Sequence, residues 1–155
     1  MSTRSRIGIV NKDGTVRSIY CHFDGYPEGV GETLRKHYNT PEKINELLDL
    51  GDISTLGEFY EKDLAEEKWE HGYEKGWSES ERGQRAAKMT LPYSDRGENV
   101  PARIDESEVE FLSKLGKCGE DYTYLFDINC RDEYEWRFCK TPWMESLDFY
   151  LDNKD

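Results

Sequence analysis

The stretch Ile19-Tyr20-Cys21-His22-Phe23-Asp24-Gly25-Tyr26-Pro27-Glu28-Gly29-Val30-Gly31 restricts the fold of this chain more than any other. Residues 15–23 are rich in β-branched and aromatic side chains and read as a strand. In residues 28–38, Val30, Leu34 and Tyr38 recur at helical spacing and read as one buried helix face. A strand must therefore hand over to a helix within a few residues. Asp24-Gly25 breaks the strand, with Gly25 expected to supply the positive φ of a turn. Pro27 fixes its own φ, and Gly29 and Gly31 permit close backbone approach. A loop entering a helix also presents free N–H groups, which suit an anion. The plainer reading is a tight turn whose Tyr and His pack on the core. The glycine spacing matches neither a dinucleotide fingerprint nor a Walker loop.

The rest of the chain supplies elements for both ends of this connection. Residues 7–10 and 15–23 form a hairpin through Asn11-Lys12-Asp13-Gly14. Strand alternation puts Arg4 and Arg6 on one face, and Ser5 and Ile7 on the other. Thr40 is a helix N-cap with Pro41 at the first position; Ile44, Leu47, Leu48 and Leu50 face a core, and Gly51 stops the helix. Residues 52–56 read as a short turn burying Ile53 and Leu56. Residues 58–77 are acidic and helical in preference, with a partial stripe of Phe59, Tyr60, Leu64 and Trp69 and weak glycines at 72 and 76.

Residues 78–92 hold no period. One domain spanning 1–155 is expected, with a mobile or inserted segment at 78–104. Ser107-x-x-Glu110 is a capping box for a helix ending at Gly116, with Val109, Phe111, Leu112 and Leu115 as its apolar residues. Residues 122–128 and 134–139 alternate, which predicts antiparallel strands with one solvated face. Trp143, Leu147, Tyr150 and Leu151 would cover that sheet. The fold class is α+β: an antiparallel sheet from N- and C-terminal hairpins, packed with three or more helices.

With 35% hydrophobic residues the core must be lean, and the 13% aromatic share is too high for a disordered chain of this charge. Residues 1–41 carry six Lys/Arg against four Asp/Glu; residues 42–81 carry four against thirteen. The net charge of −12 argues against direct nucleic-acid binding, whose affinity rests on neutralising phosphates. It leaves room for a small anion held by a local arginine cluster. No apolar run is long enough for a membrane span, and the N-terminus lacks a signal peptide's apolar segment. Cys21, Cys118, Cys130 and Cys139 lack CxxC spacing and read as reduced thiols of a cytoplasm. Adjacent Cys21 and His22 face opposite ways in a strand, so they make a poor zinc pair, and no cofactor motif occurs.

The opening Met-Ser-Thr-Arg-Ser-Arg-Ile, the run Ile-Tyr-Cys-His-Phe-Asp-Gly-Tyr-Pro-Glu-Gly-Val-Gly, Leu50-Gly51-Asp52-Ile53-Ser54 and Asp95-Arg96-Gly97-Glu98 resemble a group of small hypothetical proteins of phages and prophages. The resemblance covers about the first sixty residues well and the rest in fragments. It implies a phage-encoded accessory or anti-defence protein in the host cytoplasm, and it carries no known activity.

Arg4, Arg6, Tyr20, His22, Asp24, Tyr26 and Arg96 together hold the ingredients of a nucleotide pocket: cations for phosphate, aromatics for a base. Arg96 can present a fork to an anion or pair within the chain with Asp95 or Glu98. His22 and Asp24, two apart in a strand, are the best general-base couple, yet no nucleophile motif accompanies them. Three functions follow. The leading one is a binder that sequesters a small anionic, nucleotide-like ligand, possible homo-oligomerisation included. The others are an acidic DNA-mimic decoy and a small hydrolase using His22 and Asp24.

Overall fold

The computed structural model describes residues 2–72, 74–117, 119–128, 135–139 and 144–152. Cys118, Cys130, Tyr134, Trp143 and the loop expected at 129–133 lie outside the described residues. The expected N-terminal hairpin is β1 (Ser5–Val10) and β2 (Val16–Cys21), paired antiparallel from Ser5↔Cys21 to Val10↔Val16. Gly14, at φ 88°, supplies the left-handed turn position. A π-helical turn (Pro27–Gly31) runs into α1 (Glu32–His37), so the expected helix begins with one wide turn. Val30, Leu34 and Tyr38 are all buried, as their spacing predicts.

Helix α2 (Pro41–Asp49) opens on Thr40, whose hydroxyl accepts from the Lys43 N–H. Residues expected as a turn form β3 (Ile53–Thr55), which does bury Ile53, with Leu56 beside it. The acidic segment holds α3 (Lys62–His71), closed at Gly72. The aperiodic stretch carries α4 (Glu81–Ala87), β4 (Leu91–Pro92), a 3₁₀ turn (Tyr93–Arg96) and β5 (Arg103–Asp105). Next come α5 (Glu108–Ser113), β6 (Tyr122–Asp127), β7 (Glu135–Cys139), β8 (Met144–Ser146) and α6 (Leu147–Asp152). Ser107 caps α5 by accepting from the Glu110 N–H, while the Glu110 carboxylate reaches back to the Glu106 N–H. Among the described residues, no helix is long and apolar enough to cross a membrane.

The fold is α+β, as the sequence predicts, around one sheet of order β4-β3-β2-β1-β6-β7-β8, with β5 also paired to β2. Antiparallel pairing holds within each hairpin but not between them: β1 runs parallel to β6, Ser5 opposite Tyr122 and Val10 opposite Asp127. A central strand cannot keep one face in water. Every residue of β1 is buried, and Thr123 to Phe126 of β6 are buried on both faces. On one face Ile7, Ile9, Ile19, Tyr124, Phe126 and Phe138 pack under α1, α2 and α6. On the other, Val10, Val16 and Leu125 pack under Phe111 of α5. Val109, expected on that apolar face, is 78% exposed. Leu64, Ala65, Ala86 and Met89 make a satellite core between α3 and α4.

The organising loop is set differently from expectation. Asp24, not Gly25, takes the positive φ (57°), which a short polar side chain tolerates. Gly25 is needed for space: a Cβ there would lie 2.8 Å from both the Ser5 Cβ and the Thr3 carbonyl oxygen. A Cβ on Gly29 would lie 2.4 Å from the Asp24 oxygen. The Tyr124 hydroxyl donates to the Gly25 carbonyl at 2.6 Å and anchors the loop to the sheet. Gly29→Ala, which overpacks backbone against backbone, should therefore cost about 1–3 kcal/mol. Tyr124→Phe strands a buried carbonyl and should cost about 1–2 kcal/mol. Urea unfolding checks both; an unchanged midpoint in Gly29→Ala would contradict the close approach.

Candidate functional site

Strand register brings four of the seven expected site residues to one place. Arg6 lies opposite Tyr20 in the β1–β2 ladder, so their side chains share a face. Arg4 precedes Arg6 by two residues and His22 follows Tyr20 by two, which puts them on that same face. This is the α5 face of the sheet, beyond the end that Phe111 covers. Tyr20 and His22 are half-buried there, and the Tyr20 hydroxyl lies 2.8 Å from His22 Nδ1. His22 also meets Phe23 edge-on, with ring centroids 4.5 Å apart.

Arg6 is only 7% exposed, and its charge is met in full. Its Nε donates to Glu120 at 3.1 Å and its Nη1 to the Ser18 hydroxyl at 2.9 Å. Both partners matter, because an unpaired guanidinium at this depth costs several kcal/mol (about 3–5). Arg4 binds through its backbone: its N–H donates to Asp121 Oδ2 at 3.2 Å and its carbonyl accepts from the Asp121 N–H at 2.8 Å. Its guanidinium lies against Gly119, where a Cβ would come within 2.7 Å of Nη1. It makes no ion pair among the described residues.

Residues that local spacing did not flag complete the cluster. The outer edge of β2 pairs with β5 at residues 16–18 and with β3 at Cys21. Between those ladders the Tyr20 N–H donates instead to Asp52 Oδ1, at 2.9 Å. Burial raises the Asp52 pKa, against that hydrogen bond and the charges of Arg6 and Arg103. Burial also raises the Tyr20 pKa, with Arg4 opposing and Tyr93 and Glu120 reinforcing. Tyr93 reaches the cluster because its N–H donates to the Asp52 carbonyl. Arg96 joins through Tyr93, its guanidinium carbon 4.6 Å from the ring centroid, and it pairs with Glu98 at 3.3 Å. Asp52, Tyr93, Arg103 and Glu120 come from far along the chain, so only the sheet order could have pointed to them.

Asp24 and Tyr26 go elsewhere. β2 ends at Cys21 and the backbone turns at Asp24, so the i, i+2 alternation that would have joined His22 to Asp24 does not extend that far. His22 Nδ1 is met by Tyr20 instead. Asp24 and Tyr26 line a separate cleft of about 280 Å³ with Lys36 and His37. Cys21 faces the opposite, apolar side of the sheet; burial pushes its thiol up to about 12. Among the described residues, no group of three or more His, Cys, Asp or Glu side chains could hold a metal ion.

Compared with known proteins, the chain matches no family model, no curated protein and no solved structure.

Two outcomes follow from these environments. Cys21 should resist iodoacetamide at pH 8 in the folded protein and react on unfolding, as peptide mass mapping would record; labelling of the native state would contradict its burial. Asp105 is fully buried; burial opposes its charge, but Lys114 at 2.5 Å and Arg103 at 3.0 Å outweigh that and lower its pKa below 3.8. A carboxylate with a depressed folded pKa stabilises above its unfolded pKa and loses that contribution as pH falls through the folded value. Asp105→Asn should thus destabilise by about 1–3 kcal/mol near neutrality. The gap to wild type should close in urea titrations as the pH falls through the lowered folded pKa of Asp105.

Proposed function

We propose that this protein is a phage-encoded accessory, anti-defence protein that binds and sequesters a small anionic, nucleotide-like ligand on the α5 face of its sheet. The observation that carries the reading is the meeting of Arg4, Arg6, Tyr20 and His22 on one face, with the Tyr93–Arg96 stack beside them. Arg4 offers a guanidinium with no ion pair among the described residues, suited to a phosphate. Tyr20, His22 and Tyr93 offer ring faces for a base, and the Asp52 carboxylate an acceptor for its N–H groups. The phage source rests on the sequence resemblance alone.

Sequestration is favoured over turnover. His22 Nδ1 is held by a tyrosine rather than oriented by a carboxylate, and the neighbouring thiol points into the apolar core, its pKa raised by burial to about 12. The decoy reading keeps one specific observation: Glu66 and Glu70 lie one turn apart and exposed on α3.

Equilibrium dialysis against a panel of linear and cyclic nucleotides tests the proposal. One nucleotide should bind stoichiometrically, lose at least tenfold in affinity in Arg4→Ala and in His22→Ala, and be recovered chemically unchanged after heating. Conversion of the nucleotide by substoichiometric protein, abolished in His22→Ala, would replace binding by catalysis. Retention of full affinity in both variants would remove the site. Loss of biological activity in Glu66→Gln/Glu70→Gln, with nucleotide binding absent, would favour the decoy.

A further inference from the structure

A groove on the helical side of the molecule, remote in sequence from Arg4 and Arg6, has its own chemistry. It consists of a cleft of about 500 Å³ between α2 and residues 58–60, and the cleft of about 280 Å³ that holds Asp24 and Tyr26. His37 and Glu58 line both, so the two run into one another along α1. Tyr38 forms part of the floor of the larger cleft, its hydroxyl tied to the Gly57 carbonyl at 3.1 Å. Phe59 and Tyr60 line the same cleft, and Phe23 and Tyr26, 43% and 40% exposed, line the smaller one.

The groove is strongly acidic. Asp24, Glu28, Glu32, Glu46 and Glu58 line it against Lys36 and Lys43. Lys36 is already held by Glu32, at 3.4 Å. Glu46 and Glu58 both act on the Tyr38 phenol, which places two exposed carboxylates about one buried ring. Among the described residues, the one ion-pair partner of Glu58 is His37 Nε2, at 3.7 Å, on the wall between the clefts. An anion is repelled here. Carboxylates interleaved with aromatic faces favour guanidinium and ammonium groups instead, through charge and through cation–π contact. Phe59 already carries the Arg85 guanidinium 4.3 Å from its ring centroid.

We propose that this groove docks an extended basic segment, rich in Arg or Lys, of a partner protein. Its two joined clefts, of about 500 and 280 Å³, have room for several side chains rather than one small cation. Its carboxylates occur in both clefts, at Asp24 in one, Glu46 in the other and Glu58 between. The net charge of −12 steers such a partner, and Glu46 and Glu58 fix where it seats.

The test is fluorescence anisotropy of a fluorescein-labelled nona-arginine peptide with the full chain, with spermine as competitor. Saturable one-to-one binding is expected, weakened at least tenfold in Glu46→Gln/Glu58→Gln. The equally acidic α3 serves as the control: Glu66→Gln/Glu70→Gln should leave affinity within about twofold, since screening confines each charge to its neighbourhood. Equal losses in both double variants would mean attraction by net charge alone and overturn the groove. Spermine binding as tightly as the peptide, with the same dependence on Glu46 and Glu58, would overturn the peptide and make the groove a small-polyamine site. Circular dichroism of the variants should be unchanged, since both carboxylates are exposed.

Discussion

The parallel pairing of β1 with β6 is the constraint on which the rest depends. It makes two hairpins into one sheet and puts the N-terminal strand at its centre, where every residue from Ser5 to Val10 is buried. Ile7 and Ile9 gain from that position, each contributing about 1.5–3 kcal/mol by burial. Arg6 does not, because a guanidinium taken out of water needs a paired charge and filled hydrogen bonds. The same pairing supplies them. Because β6 enters the sheet beside β1, Glu120, just ahead of that strand, comes within 3.1 Å of Arg6 Nε. The polar cluster is thus a consequence of sheet order rather than an addition to it.

The loop from Asp24 to Gly31 answers to the same centre. Tyr124, on β6, is fully buried and donates to Gly25, while the Gly25 N–H donates to Thr3 ahead of β1. The loop is therefore clamped against both central strands, and this leaves no room for side chains at Gly25 and Gly29. Clamping also splits the residues that cluster in sequence: His22 remains with the sheet face, whereas Asp24 and Tyr26 turn toward α1 and the groove. One short motif serves two surfaces.

What could be read from the sequence was what neighbours in the chain decide. Asp13-Gly14 fixes a hairpin, Thr40-Pro41 starts a helix, Ser107 caps another, and the faces Val30–Leu34–Tyr38 and Ile44–Leu47–Leu48 bury as their spacing requires. Decisions taken between distant residues left little local trace. Nothing near Ile7 or Tyr124 says that their strands run parallel. Helix α4 shows no apolar period in residues 78–92, because what it buries is Ala86 and the small Gly83. Residue 83 is glycine because a Cβ there would come within 1.8 Å of the Trp77 carbonyl, and Ser80 caps the helix by accepting from its N–H. For the site, alternation groups Arg4 with Arg6, whereas the contact of Tyr20 with His22 is seen only in the structure. Alternation fails at Asp24, where the strand has already ended.

Sheet order also separates charge in a way that composition conceals. The first 41 residues carry a small positive excess, and their arginines at positions 4 and 6 are drawn to the middle of the sheet. The acid-rich residues 42–81 form α2, β3 and α3, at the helical layer and the sheet's far side. Neighbouring strands lie about 4.8 Å apart, whereas exposed charges are screened over about 8 Å at physiological salt. An anion offered to Arg4 would therefore respond chiefly to the charges gathered on that face, and only weakly to the acid of α3. A cation offered to the groove along α1 would respond to Glu46 and Glu58 in the same local way. A net charge of −12 thus describes how the molecule repels polyanions at a distance, and leaves each surface to choose the sign of what it holds.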